Sequence, residues 1–208
     1  MEPHWAAEHL QVIRTLMERS AIYRRALAPI MLLLGILGIV AASTGVLLSI
    51  QTGVAFGVYW LLVSILGVSG AYLMVRRQAL KDAEPFWSPP TRRVTQAVLP
   101  PLIAGLVASI LIIFSSTGEH SVIRWLLPSW MVLYGCALHA AGFFMPRGMK
   151  LFGWGFILSG CAVASVLRTA EWLNDLSTAH VLMGFFFGGL HLAYGVYLYF
   201  TEQRKNET

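Results

Sequence analysis

Residues 24–49 read RRALAPIMLLLGILGIVAASTGVLLS: two arginines followed by a run that contains no Asp, Glu, Lys or Arg. A helix rises about 1.5 Å per residue and the hydrocarbon core of a bilayer is about 30 Å thick, so about 20 apolar residues cross it. The run over 26–49 is long enough. Because no water reaches the backbone at that depth, every peptide group must be bonded within the segment, which makes the run a transmembrane helix. Working outward, apolar runs of similar length recur at 54–75, 97–115, 122–145, 151–167 and 178–200.

The fold class that follows is an all-α polytopic membrane bundle of six transmembrane helices. Its expected organisation is an N-terminal cytoplasmic segment over 1–25, the membrane domain over 26–200 and a polar cytoplasmic tail over 201–208. Composition agrees: 57% of the 208 residues are hydrophobic and 12% charged, against roughly 25% charged in soluble domains, and the mean hydropathy is +0.66. Six spans take up roughly 120 residues, which leaves no room for a second domain.

The formal charge of +5 does not describe a nucleic-acid surface, because the basic residues flank the apolar runs instead of forming a patch with interleaved aromatics. Direct nucleic-acid binding is not expected. Of the 15 Lys and Arg residues, all but Arg124 and Arg168 fall on one side of a six-span layout. The positive-inside rule then puts both termini in the cytoplasm, in a bacterial inner membrane. Arg-Arg pairs stand before the first and third spans, at 24–25 and 92–93. The only cysteines, Cys136 and Cys161, lie in apolar runs and read as small hydrophobes. The polar first 25 residues lack the pattern of a removable signal peptide, so the first span is expected to direct insertion. Pro29, Pro100, Pro101 and Pro128 are expected in first helical turns, where a missing amide costs nothing.

Within 1–25, Leu10, Ile13, Leu16, Met17 and Ala21 recur at helical spacing while Glu8, Gln11 and Glu18 fall elsewhere, the pattern of an amphipathic helix. Two readings stay open. It rests on the inner leaflet with Arg14, Arg24 and Arg25 near anionic headgroups, or it docks a cytoplasmic partner, a regulator or a second copy. The turn over 81–93, with Pro85, Phe86, Trp87, Ser88, Pro89 and Pro90, reads as a stiff interfacial loop.

Ionisable groups inside spans are costly and are where function is sought first. No Asp, Glu or Lys lies within the apolar cores, which argues against ion-coupled transport and excludes a retinal Schiff base there. His139 in the fourth run and His191 in the sixth lie roughly 5 Å and roughly 2 Å from their span centres, at a shared depth. Each stands in a stripe of small residues: Gly135, His139 and Gly142 on one helix, and His180, Gly184, Gly188, His191 and Gly195 on the other, at steps of three or four that keep one face of an α-helix.

Such a face admits another helix or a planar ligand. Two imidazoles at one depth are what bis-histidine ligation of haem b requires, with Tyr134 and Tyr194 as polar edge contacts; a quinone would use the same slot. At the opposite membrane surface, Glu119, His120, Arg124, Arg168, Glu171, Asp175 and His180 read as a solvated rim. His120 and His180 are weak metal candidates there, since no tight ligand spacing is present. No hydrolase motif or phosphate loop occurs, and an enzyme is not favoured.

The run His9-Leu10-Gln11-Val12-Ile13-Arg14-Thr15-Leu16-Met17-Glu18-Arg19-Ser20, with Leu99-Pro100-Pro101-Leu102, Leu126-Leu127-Pro128, Leu133-Tyr134-Gly135 and Phe187-Gly188-Gly189-Leu190-His191, resembles a family of six-helix bacterial integral membrane proteins often encoded beside a winged-helix transcriptional regulator. The resemblance spans nearly the whole chain. It implies a membrane component of a two-gene sensing module and carries over no catalytic residue. It places His191 on a shared element, whereas the family pattern has an apolar residue at position 139. The reading from sequence is therefore a non-enzymatic sensor or regulatory membrane partner, self-associating through Gly184 and Gly188. A haem- or quinone-binding redox protein is the alternative and a small transporter the third.

Overall fold

The computed structural model describes residues 21–83, 85–115, 119–145, 147–166 and 175–206, with side chains omitted at 21–25, 115, 119–124, 147 and 202–206. The amphipathic segment expected before residue 21, with its partner-contact residues Leu10, Ile13, Arg14 and Met17, lies outside these residues; of Arg24 and Arg25 only the helical backbone is described. Regular structure is helical throughout, with no strand among the described residues. The helices are α1 (Ala21–Leu47), α2 (Gly53–Lys81), α3 (Pro89–Ser115), α4 (Glu119–Ala141), α5 (Arg147–Val166), α6 (Leu176–Met183) and α7 (Leu190–Asn206). A π-helical segment, Gly184–Gly189, fuses α6 and α7 into one rod.

Among the described residues, five helices are long and apolar enough to cross a membrane: Ala26–Leu47, Gly53–Lys81, Pro89–Phe114, Gly148–Val166 and the rod over Leu176–Thr201. By length and composition this is a multi-pass membrane protein. The remaining apolar run is α4, whose described side chains begin at Trp125.

The helices begin earlier than hydropathy alone suggests, and this corrects the placing of the prolines. Pro29, Pro100, Pro101 and Pro128 all lie inside their helices, two turns or more past the start. Hydropathy marks where a helix enters lipid, whereas the helix itself starts where a cap allows it. For α3 that point is Ser88, whose hydroxyl lies 3.0 Å from that of Thr91 and whose carbonyl accepts from the Arg92 amide. Pro89, not Pro100, takes the first-turn position at which the missing amide is harmless. Thr52 caps α2 by accepting from the Ala55 amide at 3.2 Å.

α4 packs against α3 and α5, α1 packs against α2 and the α6–α7 rod, and contact between α2 and α4 joins the two groups. Lipid is as apolar as leucine, so helices in it associate through close fit instead of water exclusion. Glycine supplies that fit. A Cβ on Gly35 would lie 2.5 Å from the Leu192 amide nitrogen, one on Gly38 2.6 Å from the Phe187 carbonyl, and one on Gly188 2.7 Å from the Ile39 nitrogen. α1 and the rod thus run antiparallel in backbone contact. α4 and α5 do the same, with Gly135 set against the Gly153 carbonyl and the Ile157 amide. The core is filled by Leu27, Met31, Phe56, Trp60, Met131 and Phe156, while α2 and α3 turn Leu62, Leu66, Leu73, Leu99, Ile103 and Leu111 outward.

Candidate functional site

His191 is the centre of the polar chemistry inside the bundle. It opens the α7 end of the rod, 1% exposed, and its environment begins with the π turn. The amide of Leu190 reaches the carbonyl of Phe185, five residues back, so the carbonyl of Phe186 loses the amide that an α-helix would have offered it. Nδ1 of His191 lies 3.3 Å from that carbonyl. A carbonyl only accepts, so Nδ1 carries the proton, and Nε2 accepts from the hydroxyl of Tyr134 on α4 at 2.6 Å. One donor and one acceptor are what a neutral imidazole offers, and both are met.

A ring of aromatics surrounds this pair. Phe152 and Phe156 of α5 meet the His191 ring edge-on at 5.1 and 5.5 Å. Tyr134 lies at 5.4 Å and Phe187 stacks at 6.3 Å. Tyr194 stacks on Phe152 at 4.8 Å, one turn further along α7. These rings fill the space between the α4–α5 pair and the rod.

His139 belongs to different surroundings. Its ring meets Phe143 and Trp154, each at 5.5 Å, and both are substantially exposed. Its Nδ1 is buried without a hydrogen-bond partner. On α5, Trp154 is about 160° around the helix from Phe152 and Phe156, which face His191. The two histidines share no neighbouring ring, and α5 stands between their environments. Axial ligation needs a free imidazole lone pair from each side of the iron, and here the Nε2 lone pair of His191 is held by Tyr134. The residues present do not fit bis-histidine haem.

The single stripe expected along the last span is also corrected. A π turn adds about one residue to α spacing, offsetting the faces before and after it by about 100°. The glycines remain on α1: a Cβ on Gly184 would lie 2.5 Å from that of Ala42, and one on Gly195 2.8 Å from the Leu32 amide nitrogen. The face read as a ligand slot or a dimer seam is therefore filled by α1 of the same chain. His191 leaves that line toward α4 and α5, while His180 points to α1 and α2.

His180 is not a rim residue. It is 1% exposed, its ring lies flush against Gly45, and Trp60 Nε1 donates to its Nδ1 at 3.1 Å. Phe56 and Tyr59 meet it edge-on at 4.9 and 5.8 Å. Because Nδ1 accepts, the proton of the neutral ring sits on Nε2. That nitrogen is buried without a hydrogen-bond partner, with the Ile50 backbone beside the ring. Asp175 is a helix cap, accepting from the Thr178 amide at 3.2 Å. His120, Arg124, Arg168 and Glu171 lie outside the described side chains, and among the described residues no three His, Cys, Asp or Glu side chains gather as metal ligands would.

Two features were not read from the sequence. Trp60 as the partner of His180 left no local signal, being 120 positions away. The π turn left one: GFFFGG ends in two adjacent glycines, each about 1 kcal/mol poorer than alanine in a regular helix. The chain matches no protein-family model, no curated protein and no solved structure.

Proposed function

We propose that this protein is a non-enzymatic sensor or regulatory partner of the bacterial inner membrane, with six spans and both termini in the cytoplasm, and that the π turn of the last span is its movable element. The observation that carries the reading is the pairing of His191 with both the Phe186 carbonyl and the Tyr134 hydroxyl. The hydrogen bond that stabilises the irregular turn is on the same side chain as the bond that ties it to α4. A helix with two available registers, π and α, is a two-state element of the kind that signalling requires.

The route to the cytoplasm is short. α1 is in backbone contact with the π turn at Gly38 and Ile39 and leads directly back to residues 1–25. A change of register in the rod would displace α1, and with it the basic segment that meets a cytoplasmic partner. The test is amide exchange across residues 1–25 of the full chain in nanodiscs, comparing wild type with His191→Phe and Tyr134→Phe. Altered protection of the segment in both variants is expected; unchanged protection in both would remove the support for this reading.

A second reading, a lipophilic ligand bearing a carbonyl such as a quinone, is favoured by one observation: the buried, unpartnered Nε2 of His180 beside Phe56 and Tyr59. Quinone content of the purified protein, compared between wild type and His180→Phe, decides it.

A further inference from the structure

The turn between α2 and α3 carries a surface that the histidine sites do not use. Arg76 and Arg77 lie near the end of α2, Arg92 and Arg93 near the start of α3, and all four are exposed. None forms an ion pair among the described residues. Their neighbours Val75 and Val94 belong to one small apolar cluster with Val98, Ala141 and Met145, so both arginine pairs stand at the same end of the bundle. Asp82, in the same turn, accepts from the Gln78 side-chain Nε2 at 3.0 Å.

The turn also folds back onto the membrane-facing side of α2. Phe86 meets Tyr72 edge-on at 5.1 Å, one helical turn before Arg76, and Trp87 follows at 6.2 Å from Phe86, largely exposed. Beyond this aromatic ledge the same two helices expose Leu73, Leu99 and Ile103. Water alone would solvate four guanidinium groups, but it gives no reason for the ledge or for the bare apolar face that continues from it. An amphiphile with a negative head and apolar tails satisfies all three, because guanidinium groups bind phosphate oxygens in pairs and indole rings prefer the headgroup level.

We propose that this turn holds the head of an anionic phospholipid. Arg76, Arg77, Arg92 and Arg93 take the phosphate, Trp87 lies at the glycerol level, and the acyl chains run along Leu73 and Leu99.

The experiment uses the full chain, incorporated into nanodiscs of phosphatidylcholine and phosphatidylglycerol, then extracted in mild detergent and weighed intact with its retained lipids. Wild type is expected to retain phosphatidylglycerol over phosphatidylcholine. Each cation near a membrane surface contributes about fivefold in affinity for anionic lipid, so R92Q/R93Q and R76Q/R77Q should each lower the preference by about thirtyfold. R204Q/K205Q, in the basic tail, serves as the control and should keep it. Thermal unfolding of each variant shows that the fold survives, and the second arginine pair carries the test if one variant does not fold. The proposal is overturned by a preference that survives in a folded arginine variant, by an equal loss in the tail control, or by a wild-type preference abolished with millimolar inorganic phosphate, which would mark a soluble-anion site.

Discussion

The hydroxyl of Tyr134 lies 2.6 Å from Nε2 of His191, and this bond joins two helices through the one imidazole that also serves the π turn. Tyr134→Phe leaves the ring nitrogen buried without a donor. An interhelical hydrogen bond in a membrane is worth about 0.6 kcal/mol on average, and an unmet buried acceptor costs about 1–3 kcal/mol. Tyr134→Phe should therefore destabilise by about 1–2 kcal/mol. In a double-mutant cycle with His191→Phe, read by unfolding in detergent, the two changes should be non-additive. Additive effects would show that the bond couples nothing.

Gly188 should tolerate nothing larger than hydrogen. Its Cβ position is 2.7 Å from backbone of α1, which cannot swing away as a side-chain end can. Gly188→Ala is expected to cost about 1–3 kcal/mol through overpacking. Gly155 has nothing within 4 Å of its Cβ position, so Gly155→Ala should be neutral or stabilising by up to about 1 kcal/mol through helix propensity. Thermal unfolding of the two variants side by side checks the contrast.

Removal of Phe185 tests the π turn itself. This side chain is 57% exposed, so Phe185→Ala should matter little. Deleting the residue takes out the one that the π turn holds beyond α spacing, so the turn closes to α, the helices on either side keep their faces, and His191 stays near Tyr134 and Gly195 near Leu32 while the free Phe186 carbonyl is lost. The deletion should therefore be tolerated nearly as well as the substitution, whereas insertion of one alanine after Phe185, a second extra residue, should rotate everything after it by about 100° and destabilise far more. A deletion as damaging as the insertion would mean that the turn does not hold an extra residue.

The absorption spectrum of the purified protein follows from the occupied lone pair of His191 and the separate surroundings of His139. No Soret band near roughly 410 nm, where haem absorbs, is expected with or without dithionite. A band that shifted on reduction and vanished in both His139→Phe and His191→Phe would show that the two rings meet after all.

The spans were legible in the sequence because transfer into lipid is nearly a sum over residues: an apolar run such as 26–49 reports its own crossing whatever surrounds it. Helix ends were less so. Pro100 and Pro101 look like an entrance only if the helix starts with the lipid, and the cap at Ser88 shows that it starts three turns earlier. That His191 would be buried with partners could be read too, since a polar group at that depth must find them.

Which partners it finds could not be read. Steps of three and four residues align His180 with His191 only in an unbroken α-helix, and the π turn at Gly184–Gly189 undoes that periodicity. Glycine faces state that something approaches closely without stating what, and here α1 fills the place of a ligand or a second copy. The sequence by itself determined a helical, membrane-crossing chain with a buried polar group in its last span, because hydropathy and helical period are local. The assignment of His191 to Tyr134, of His180 to Trp60 and of Gly188 to Ile39 was decided only by tertiary structure, because contacts between distant segments depend on helix register and packing, which no local pattern encodes.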